Sequence, residues 1–129
     1  MAAILVIDDD PTFGSEIDRA FRQRDLEVHI ANSLGAASAL INSFDYAAIV
    51  LDLLLPDGHG LTMLDTLRRE AQTPSVVVVS KHIPDYARAL LNYYPEVKVV
   101  FSKPVNVDSL AETVLAIAKT RIAPGTDKK

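Results

Sequence analysis

The sequence of 129 residues has the length of one ordinary domain, and its 49% hydrophobic and 23% charged residues suffice for a buried core. It contains no cysteine, which excludes disulfides and thiolate metal sites, and its net charge of -4 argues against a nucleic-acid surface. No basic segment precedes the first apolar run, and no apolar stretch approaches the ~20 residues of a membrane helix. We therefore expect a soluble, cytoplasmic protein with no membrane partner.

Five short apolar segments alternate with segments of helical periodicity. In chain order we predict strand 4–7, helix 13–21, strand 26–30, helix 34–44, strand 46–51, helix 61–71, strand 76–79, helix 87–94, strand 97–101 and helix 107–117. In strand 26–30 apolar residues alternate with Glu27 and His29, which predicts an edge strand with that polar face in water. The whole pattern predicts an α/β domain of five βα units over residues 1–120, with a flexible tail or linker stub at 121–129.

Reactive side chains follow four of the five predicted strands. They are Asp8, Asp9 and Asp10 after the first strand, Asp52 after the third, Ser80 and Lys81 after the fourth, and Ser102 and Lys103 after the fifth. The carboxyl ends of parallel strands share one edge of the sheet, so these groups are expected to converge there. Two carboxylates ~4 Å apart repel by about 4 kcal/mol at an effective dielectric of 20, so the cluster predicts a cation. Mg²⁺ fits, because it prefers carboxylate and phosphate oxygens, and the set suits phosphoryl transfer to a carboxylate.

The first of two resemblances concerns the opening aspartates. Asp8, Asp10 and Thr12, after an apolar run, resemble the first motif of haloacid-dehalogenase-type phosphatases, in which the first aspartate is the nucleophile and the second an acid/base. That family binds its metal with a further acidic pair after a later strand, for which the chain beyond Lys103 offers only acids on a helix. It also leaves Asp52 without a role. A phosphatase with Asp8 as nucleophile is therefore the less favoured alternative.

The second resemblance covers nearly the whole chain, about residues 3–119. "ILVIDDD", "IVLDLLLPDGHG", "VVVVS" and "FSKP" resemble the acidic pair, phosphoacceptor, switch hydroxyl and lysine motifs of the receiver domain of two-component response regulators. The spacing of Asp52, Pro56 and Gly60 is the most specific part. The resemblance implies a flavodoxin-like (βα)5 three-layer sandwich with a five-stranded parallel sheet ordered 2-1-3-4-5.

The resemblance also implies a role for each matching residue. It assigns phosphoryl acceptance to Asp52 and contacts with the phosphoryl oxygens to Ser80 and Lys103, with Lys103 paired to Asp52 beforehand. The Mg²⁺ ligands that it implies are Asp8 (mainly through water), Asp9, Asp52 and the backbone carbonyl of Leu54. The Lys103–Pro104 peptide bond is expected to be cis, an isomer that X-Pro bonds tolerate.

The implied function is a signalling switch rather than an enzyme, since the chain would catalyse only its own phosphorylation and dephosphorylation. A sensor histidine kinase or phosphotransfer protein would phosphorylate Asp52, and the surface of the fourth helix, fifth strand and fifth helix would then change. That surface would serve a downstream effector, a missing output domain or a homodimer formed on phosphorylation. No contact of this domain itself with nucleic acid is expected.

Several residues depart from the family pattern. Lys81 stands where a small residue is usual, and Val100 replaces an aromatic residue, with Phe101 expected on the other face of the sheet. Tyr86, Tyr93 and Tyr94 cluster around the unusual segment "YYPEVK", where packing of a helix is favoured over a docking patch. These departures favour, as a further alternative, a degenerate receiver that acts only as a protein-interaction module.

Two residues are expected to flank an acyl phosphate on Asp52. They are Leu54 and His82, each two positions after a key residue. The aliphatic side chain of Leu54 cannot orient a water molecule, so the acyl phosphate is expected to be long-lived, whereas His82 is expected to be a solvated loop residue.

Overall fold

The structure is a computed structural model that describes residues 3–69, 74–81, 83 and 85–122. The elements in chain order are β1 (Ala3–Ile7), α1 (Pro11–Arg22), β2 (Glu27–Ala31), α2 (Leu34–Ser43), β3 (Ala48–Leu51), β4 (Leu54–Leu55), β5 (Gly58–His59), α3 (Leu61–Arg69), β6 (Ser75–Ser80), α4 (Asp85–Leu91), β7 (Val97–Ser102) and α5 (Val107–Ile122). The five longer strands form one parallel sheet ordered β2-β1-β3-β6-β7, and β4 and β5 form a two-residue antiparallel hairpin. Counted over the longer strands alone, this is the predicted order 2-1-3-4-5.

The sheet lies between two apolar clusters, which makes three layers. Ile4 and Val6 of β1 pack with α1 and α5 on one side, while Leu5 and Ile7 pack with α2 and α3 on the other. Successive residues of a strand point to opposite faces, so a fully apolar strand such as β1 serves both clusters. The sequence therefore folds as the α/β sandwich that its apolar segments predict.

The pairing of β1 with β3 sets the distance between the acidic residues that follow them. Ile7 is opposite Leu51, and the ladder continues one step further, since the Asp52 N–H donates to the Ile7 carbonyl at 2.9 Å. On the other side of β1 the Asp8 N–H donates to the Ala31 carbonyl at 3.0 Å. Asp8 and Asp52 therefore start from fixed backbone positions on neighbouring strands.

The edge strand β2 differs in detail from its prediction. It lies at the edge of the sheet as expected, but Ile30 is exposed and His29 is half-buried. Ile30 lies beside Gly14, which carries no side chain to cover it. His29 contacts the Tyr46 hydroxyl at 2.6 Å and the edge of the Phe44 ring. Side chains of other elements therefore contact both faces of β2. For this reason the alternation of polar and apolar residues along β2 does not predict which of its side chains are exposed.

Two helices, α4 and α5, end three or more residues from their predicted ends, whereas α1 and α2 end within one residue of theirs. α4 ends at Leu91 and is followed by a turn in which the Tyr94 N–H donates to the Leu91 carbonyl at 3.0 Å, because the residue before Pro95 is disfavoured in a helix. α5 continues to Ile122, two residues into the segment predicted as a tail. The first proline after the start of this helix is Pro124, so no proline interrupts it earlier. The predicted end of the third helix at 71, and the rest of the tail, lie outside the described residues. Among the described helices none is long and apolar enough to cross a membrane.

The turn-rich segment after β3 folds as the hairpin of β4 and β5. The Gly60 N–H donates to the Leu53 carbonyl at 2.7 Å, which brings the start of α3 back against the end of β3. A Cβ atom at Gly60 would lie 2.2 Å from the Asp52 carbonyl oxygen and 2.9 Å from the Leu53 Cα. Only glycine allows this close approach of backbone to backbone.

We predict that Gly60→Ala destabilises the protein by about 1–3 kcal/mol, because the added methyl group forces the backbone around Asp52 to shift. Urea unfolding followed by circular dichroism measures the loss. Gly14→Ala is the matched control, since its Cβ would meet only the Ile30 side chain, at 3.6 Å and beyond. In the interior of α1 that change is expected to leave stability unchanged or raise it by up to about 1 kcal/mol. Equal stability of the Gly60→Ala protein and the wild type would contradict the prediction.

Candidate functional site

Asp52 follows β3 directly and is only 7% exposed. Its Oδ1 accepts hydrogen bonds from the Ser80 hydroxyl at 2.8 Å and from the Leu54 backbone N–H at 3.1 Å. Its Oδ2 lies 3.6 Å from the Lys103 Nζ. One carboxylate oxygen is thus held by two neutral donors, whereas the other faces a cation.

Asp8 is the more deeply buried carboxylate, with 3% exposure. Its Oδ1 accepts from the Asp10 backbone N–H at 2.8 Å, and its Oδ2 accepts from the Lys103 Nζ at 2.7 Å. Burial raises the pKa of Asp8 above its ordinary value, and the hydrogen bond from Lys103 offsets this only in part. The ionised form of Asp8 therefore depends on the cation beside it.

Lys103 connects the two carboxylates, and its Nζ also lies 4.5 Å from the centre of the Phe13 ring. Burial alone would lower its pKa, but the hydrogen bond to Asp8 and the nearby negative charges outweigh burial, so the pKa of Lys103 lies above its ordinary value. The Lys103 N–H donates to the Ser80 carbonyl at 2.9 Å, which fixes the end of β7 against the end of β6. The Lys103–Pro104 peptide bond is cis, as the resemblance implied.

The closer partner of Lys103 is not the expected one. The resemblance implied a pair with Asp52, but the contact with Asp8 is 0.9 Å shorter, at 2.7 Å against 3.6 Å. Asp52 already accepts two hydrogen bonds on its other oxygen, whereas Asp8 has one donor besides the lysine. The ammonium group therefore lies nearer the carboxylate that is less well satisfied.

Three carboxylates meet at this edge of the sheet. One oxygen each of Asp8, Asp9 and Asp52 lies within 4.8 Å of the others, and Asp9 is exposed. Only one ammonium group, that of Lys103, pairs with carboxylates of this cluster in the part of the chain that the structure describes. The donor set therefore fits a hard divalent cation such as Mg²⁺, which prefers carboxylate oxygens and retains several waters.

Not every predicted residue joins this cluster. Asp10 instead caps α1, since its Oδ1 accepts from the backbone N–H groups of Thr12 at 3.0 Å and Phe13 at 3.3 Å. Lys81 and Ser102 are exposed, and His82 lies outside the described residues. Asp10, which would be the acid/base in the phosphatase interpretation, therefore serves as a helix cap in this structure.

Leu54 lies next to the cluster with its side chain in solvent. The residue is 56% exposed, and its backbone N–H is the group that bonds Asp52. An open cleft of about 560 Å³ adjoins the same carboxylates from the side of α1, with Asp9, Asp18 and Ile30 among its lining residues. Among the described residues that line this cleft there is no arginine or lysine.

Two residues near the site were not expected from the sequence. Phe13 begins the predicted helix 13–21, and its contact with Lys103 joins residues 90 positions apart, which helical periodicity does not reveal. Asp57 stands within the phosphoacceptor motif without a predicted role, yet its carboxylate accepts from the backbone N–H groups of Leu34 at 2.8 Å and Gly35 at 3.0 Å. An aspartate in a turn is too common a feature to predict such a contact.

The residues around the departures from the family pattern lie on both faces of the sheet. Val100 packs against the cluster of α2 and α3 and Phe101 against the cluster of α1 and α5, so they occupy opposite faces as predicted. Tyr94 packs below the Arg68 guanidinium, 4.7 Å from its ring centre, whereas Tyr93 is exposed. The packing interpretation of the tyrosines therefore holds for Tyr94 and not for Tyr93, and the side chain of Tyr86 is outside the description.

Comparison with known proteins identifies the family. A family model described as the response regulator receiver domain matches residues 4–115, which is most of the chain. The solved structure of a CheY-like response regulator receiver domain protein from Methanospirillum hungatei JF-1 has the same fold, with a TM-score of 0.86 over 94% of this chain and 96% of that one at 21% identity. The chain belongs to the response regulator receiver family, a family of two-component signalling.

Two curated relatives are longer proteins. The photosynthetic apparatus regulatory protein RegA of Rhodobacter capsulatus is 28% identical over 118 residues, which cover 88% of this chain and 61% of RegA. The transcriptional activator protein PfeR of Pseudomonas aeruginosa is 29% identical over 118 residues, which cover 86% of this chain and 38% of PfeR. The chain thus spans less than two thirds of the length of either relative.

We predict that Lys103→Met destabilises the protein at pH 7 by about 3 kcal/mol, because it leaves two buried carboxylates without their cation. Without the lysine the pKa of Asp8 in the folded state rises further above its value in the unfolded chain. Between these two pKa values the folded state holds the extra proton, so its stability falls as the pH rises and recovers as the pH falls. Urea unfolding at pH 7 and pH 5 should show a smaller loss at pH 5.

Lys119→Met is the matched control, since Lys119 is an exposed lysine on α5. Its removal is expected to change stability by less than about 0.5 kcal/mol at either pH. A Lys103→Met loss that is equal at the two pH values would show that the lysine does not compensate Asp8.

Proposed function

We propose that this receiver domain accepts a phosphoryl group on Asp52 from a sensor histidine kinase or phosphotransfer protein in a Mg²⁺-dependent reaction. The observation that carries the proposal is the asymmetry at Asp52. Its Oδ1 is held by Ser80 and Leu54, while its Oδ2 faces Lys103 at 3.6 Å. Such an arrangement orients one oxygen as a nucleophile and places a cation where negative charge develops in transfer.

The residues that would hold the metal ion are Asp8, Asp9, Asp52 and the backbone carbonyl of Leu54. The fit rests on three carboxylate oxygens within 4.8 Å of one another, two of them on buried residues. When bound, Mg²⁺ supplies positive charge to the oxygens of the transferring phosphoryl group. A second cation also lowers the repulsion that Lys103 alone must offset among these carboxylates.

The transfer forms one bond and breaks one. The Asp52 Oδ2 attacks phosphorus in line, and the phosphorus–nitrogen bond of the donor phosphohistidine breaks with its electron pair left on the imidazole. Before transfer Lys103 lies nearer Asp8 than Asp52. After transfer its ammonium group turns towards an oxygen of the phosphoryl group. Ser80 exchanges its bond to the Asp52 Oδ1 for one to another phosphoryl oxygen, so both side chains hold the product.

This exchange links the site to the surface formed by α4, β7 and α5. Ser80 is fully buried at the end of β6, just before the segment that leads to α4, and Lys103 follows β7. Movement of the two side chains towards the phosphoryl group biases these elements towards a second packing. A shift from 1:99 to 99:1 requires about 5.5 kcal/mol of differential binding, which a few charge-assisted hydrogen bonds can supply.

The same surface would contact a downstream effector, an output domain or a second phosphorylated copy of the chain. RegA and PfeR extend beyond the region that matches this chain, and the name of PfeR is that of a transcriptional activator, which supports a link to an output domain. A cytoplasmic location, where a kinase and its regulator meet, belongs to the proposal. So does the absence of catalysis beyond the domain's own phosphorylation and dephosphorylation.

A degenerate receiver that only binds other proteins is the second candidate. Val100, which replaces the usual aromatic residue, packs among the apolar residues of the α2 and α3 side. Val100 therefore cannot supply the aromatic side chain that the family pattern has at this position. In that case the domain would bind other proteins without being phosphorylated, and the acidic site would have no role in its function.

We predict that the wild type incubated with acetyl phosphate and Mg²⁺ gains one phosphoryl group, visible in the intact mass. Asp52→Asn should gain none, because the amide is a poor nucleophile. An adduct that persists in Asp52→Asn but is lost in Asp8→Asn would instead support the phosphatase alternative. No adduct on any form, with a known receiver domain labelled in parallel, would favour the binding module.

We also predict that the acyl phosphate on Asp52 lasts for minutes or longer, because the exposed aliphatic side chain of Leu54 cannot orient an attacking water. The decay of the phosphorylated mass after removal of the donor measures this lifetime. Leu54→Asn should shorten it, since an amide can hold a water, whereas Leu54→Ala should not. A wild-type half-life of seconds, or equal shortening by both substitutions, would contradict this role of Leu54.

A further inference from the structure

The start of α2 receives hydrogen-bond acceptors from two places in the chain. The Ser33 hydroxyl accepts from the Ala36 N–H at 3.1 Å, as the helix's own cap. Asp57, which lies 23 and 22 residues further along, accepts from the Leu34 N–H with Oδ1 and from the Gly35 N–H with Oδ2. The first three amides of the helix are therefore satisfied, two of them by a residue of the β4–β5 hairpin.

Several observations indicate that the two hydrogen bonds between Asp57 and the start of α2 form a stable bridge. Each oxygen of Asp57 serves one amide, at 2.8 and 3.0 Å, and these bonds hold the pKa of the carboxyl below its ordinary value. A carboxylate at the first turn of a helix also lies at the positive end of the helix dipole. The turn of the hairpin lies against the helix, since a Cβ atom at Gly58 would come within 2.8 Å of the Leu34 Cδ1.

The other end of the hairpin lies at the acidic cluster. Leu54 pairs with His59 across the hairpin, and the Leu54 N–H donates to the Asp52 carboxylate. The Gly60 N–H closes the hairpin by donating to the Leu53 carbonyl. Leu54 thus lies between two anchors, one at Asp52 and one at α2.

We propose that Asp57 is a positioning residue of the phosphoacceptor site: it ties the tip of the hairpin to α2 and so fixes the backbone of Leu54 beside Asp52. For the role of the Leu54 carbonyl as a metal ligand, the inference rests on the proposed function. Asp57 itself touches neither the phosphoryl group nor the metal ion. Its effect passes through the backbone of Leu55 and Pro56, the two residues between Leu54 and Asp57.

The test compares Asp57→Ala with Ser33→Ala. Both substitutions remove a cap from the same helix end, but only the first removes the bridge to the hairpin. Amide exchange followed by NMR should accelerate at Leu34, Gly35 and Leu54 in Asp57→Ala, and near Ala36 alone in Ser33→Ala. The Mg²⁺ affinity, titrated by NMR on the unphosphorylated protein, should fall about tenfold in Asp57→Ala, as for outer partners of metal ligands, and stay unchanged in Ser33→Ala.

Asp57→Asn keeps one acceptor oxygen and should lie between the wild type and Asp57→Ala, and it decides the question if Asp57→Ala does not fold. Unchanged exchange at Leu54 in the Asp57 variants would overturn the proposal. An equal loss of Mg²⁺ affinity in Ser33→Ala would also overturn it, since the loss would then come from a weakened helix. A wild type that binds no Mg²⁺ and takes no phosphoryl group on Asp52 refutes the proposed function instead, while Leu54 exchange still decides the role of Asp57.

Discussion

The contact of one ammonium group with two buried carboxylates is the interaction on which this site depends. Lys103 lies 2.7 Å from Asp8 and 3.6 Å from Asp52, after strands that are not adjacent in the chain. Burial raises the pKa of Asp8, the negative charge of Asp52 adds to this effect, and the hydrogen bond from Lys103 offsets it only in part. The parallel sheet brings the three residues together, because β1, β3 and β7 all end at the same edge.

Two backbone N–H groups and one hydroxyl group also donate hydrogen bonds to these two carboxylates. Asp52 is held by the Leu54 N–H and by the Ser80 hydroxyl, and Asp8 by the Asp10 N–H. These neutral donors stabilise the carboxylates without cancelling their charge. The cluster therefore retains an excess of negative charge, which the proposed Mg²⁺ ion would reduce.

The parts of the fold that depend on local pattern were predictable. Fully apolar strands such as β1 and β3 indicate burial on both faces of the sheet. The receiver motifs identified the residues that the structure brings together at Asp52. Exposure on β2 was not predictable, because it depends on Gly14 beside Ile30 and on Tyr46 beside His29. Contacts of this kind join different elements, and no periodicity within one segment encodes them.

The three consecutive aspartates show most clearly where sequence reasoning stops. β1 ends at Ile7 and α1 begins at Pro11, so the chain turns within three residues. Asp8 continues the strand and is buried, Asp9 points into the cluster from the exposed side, and Asp10 caps the helix. A proline at the first helical position, preceded by aspartate, is a signal of a helix start and singles out Asp10. The pairing of Asp8 rather than Asp9 with Lys103 has no such signal, because the lysine that approaches Asp8 lies 95 residues away.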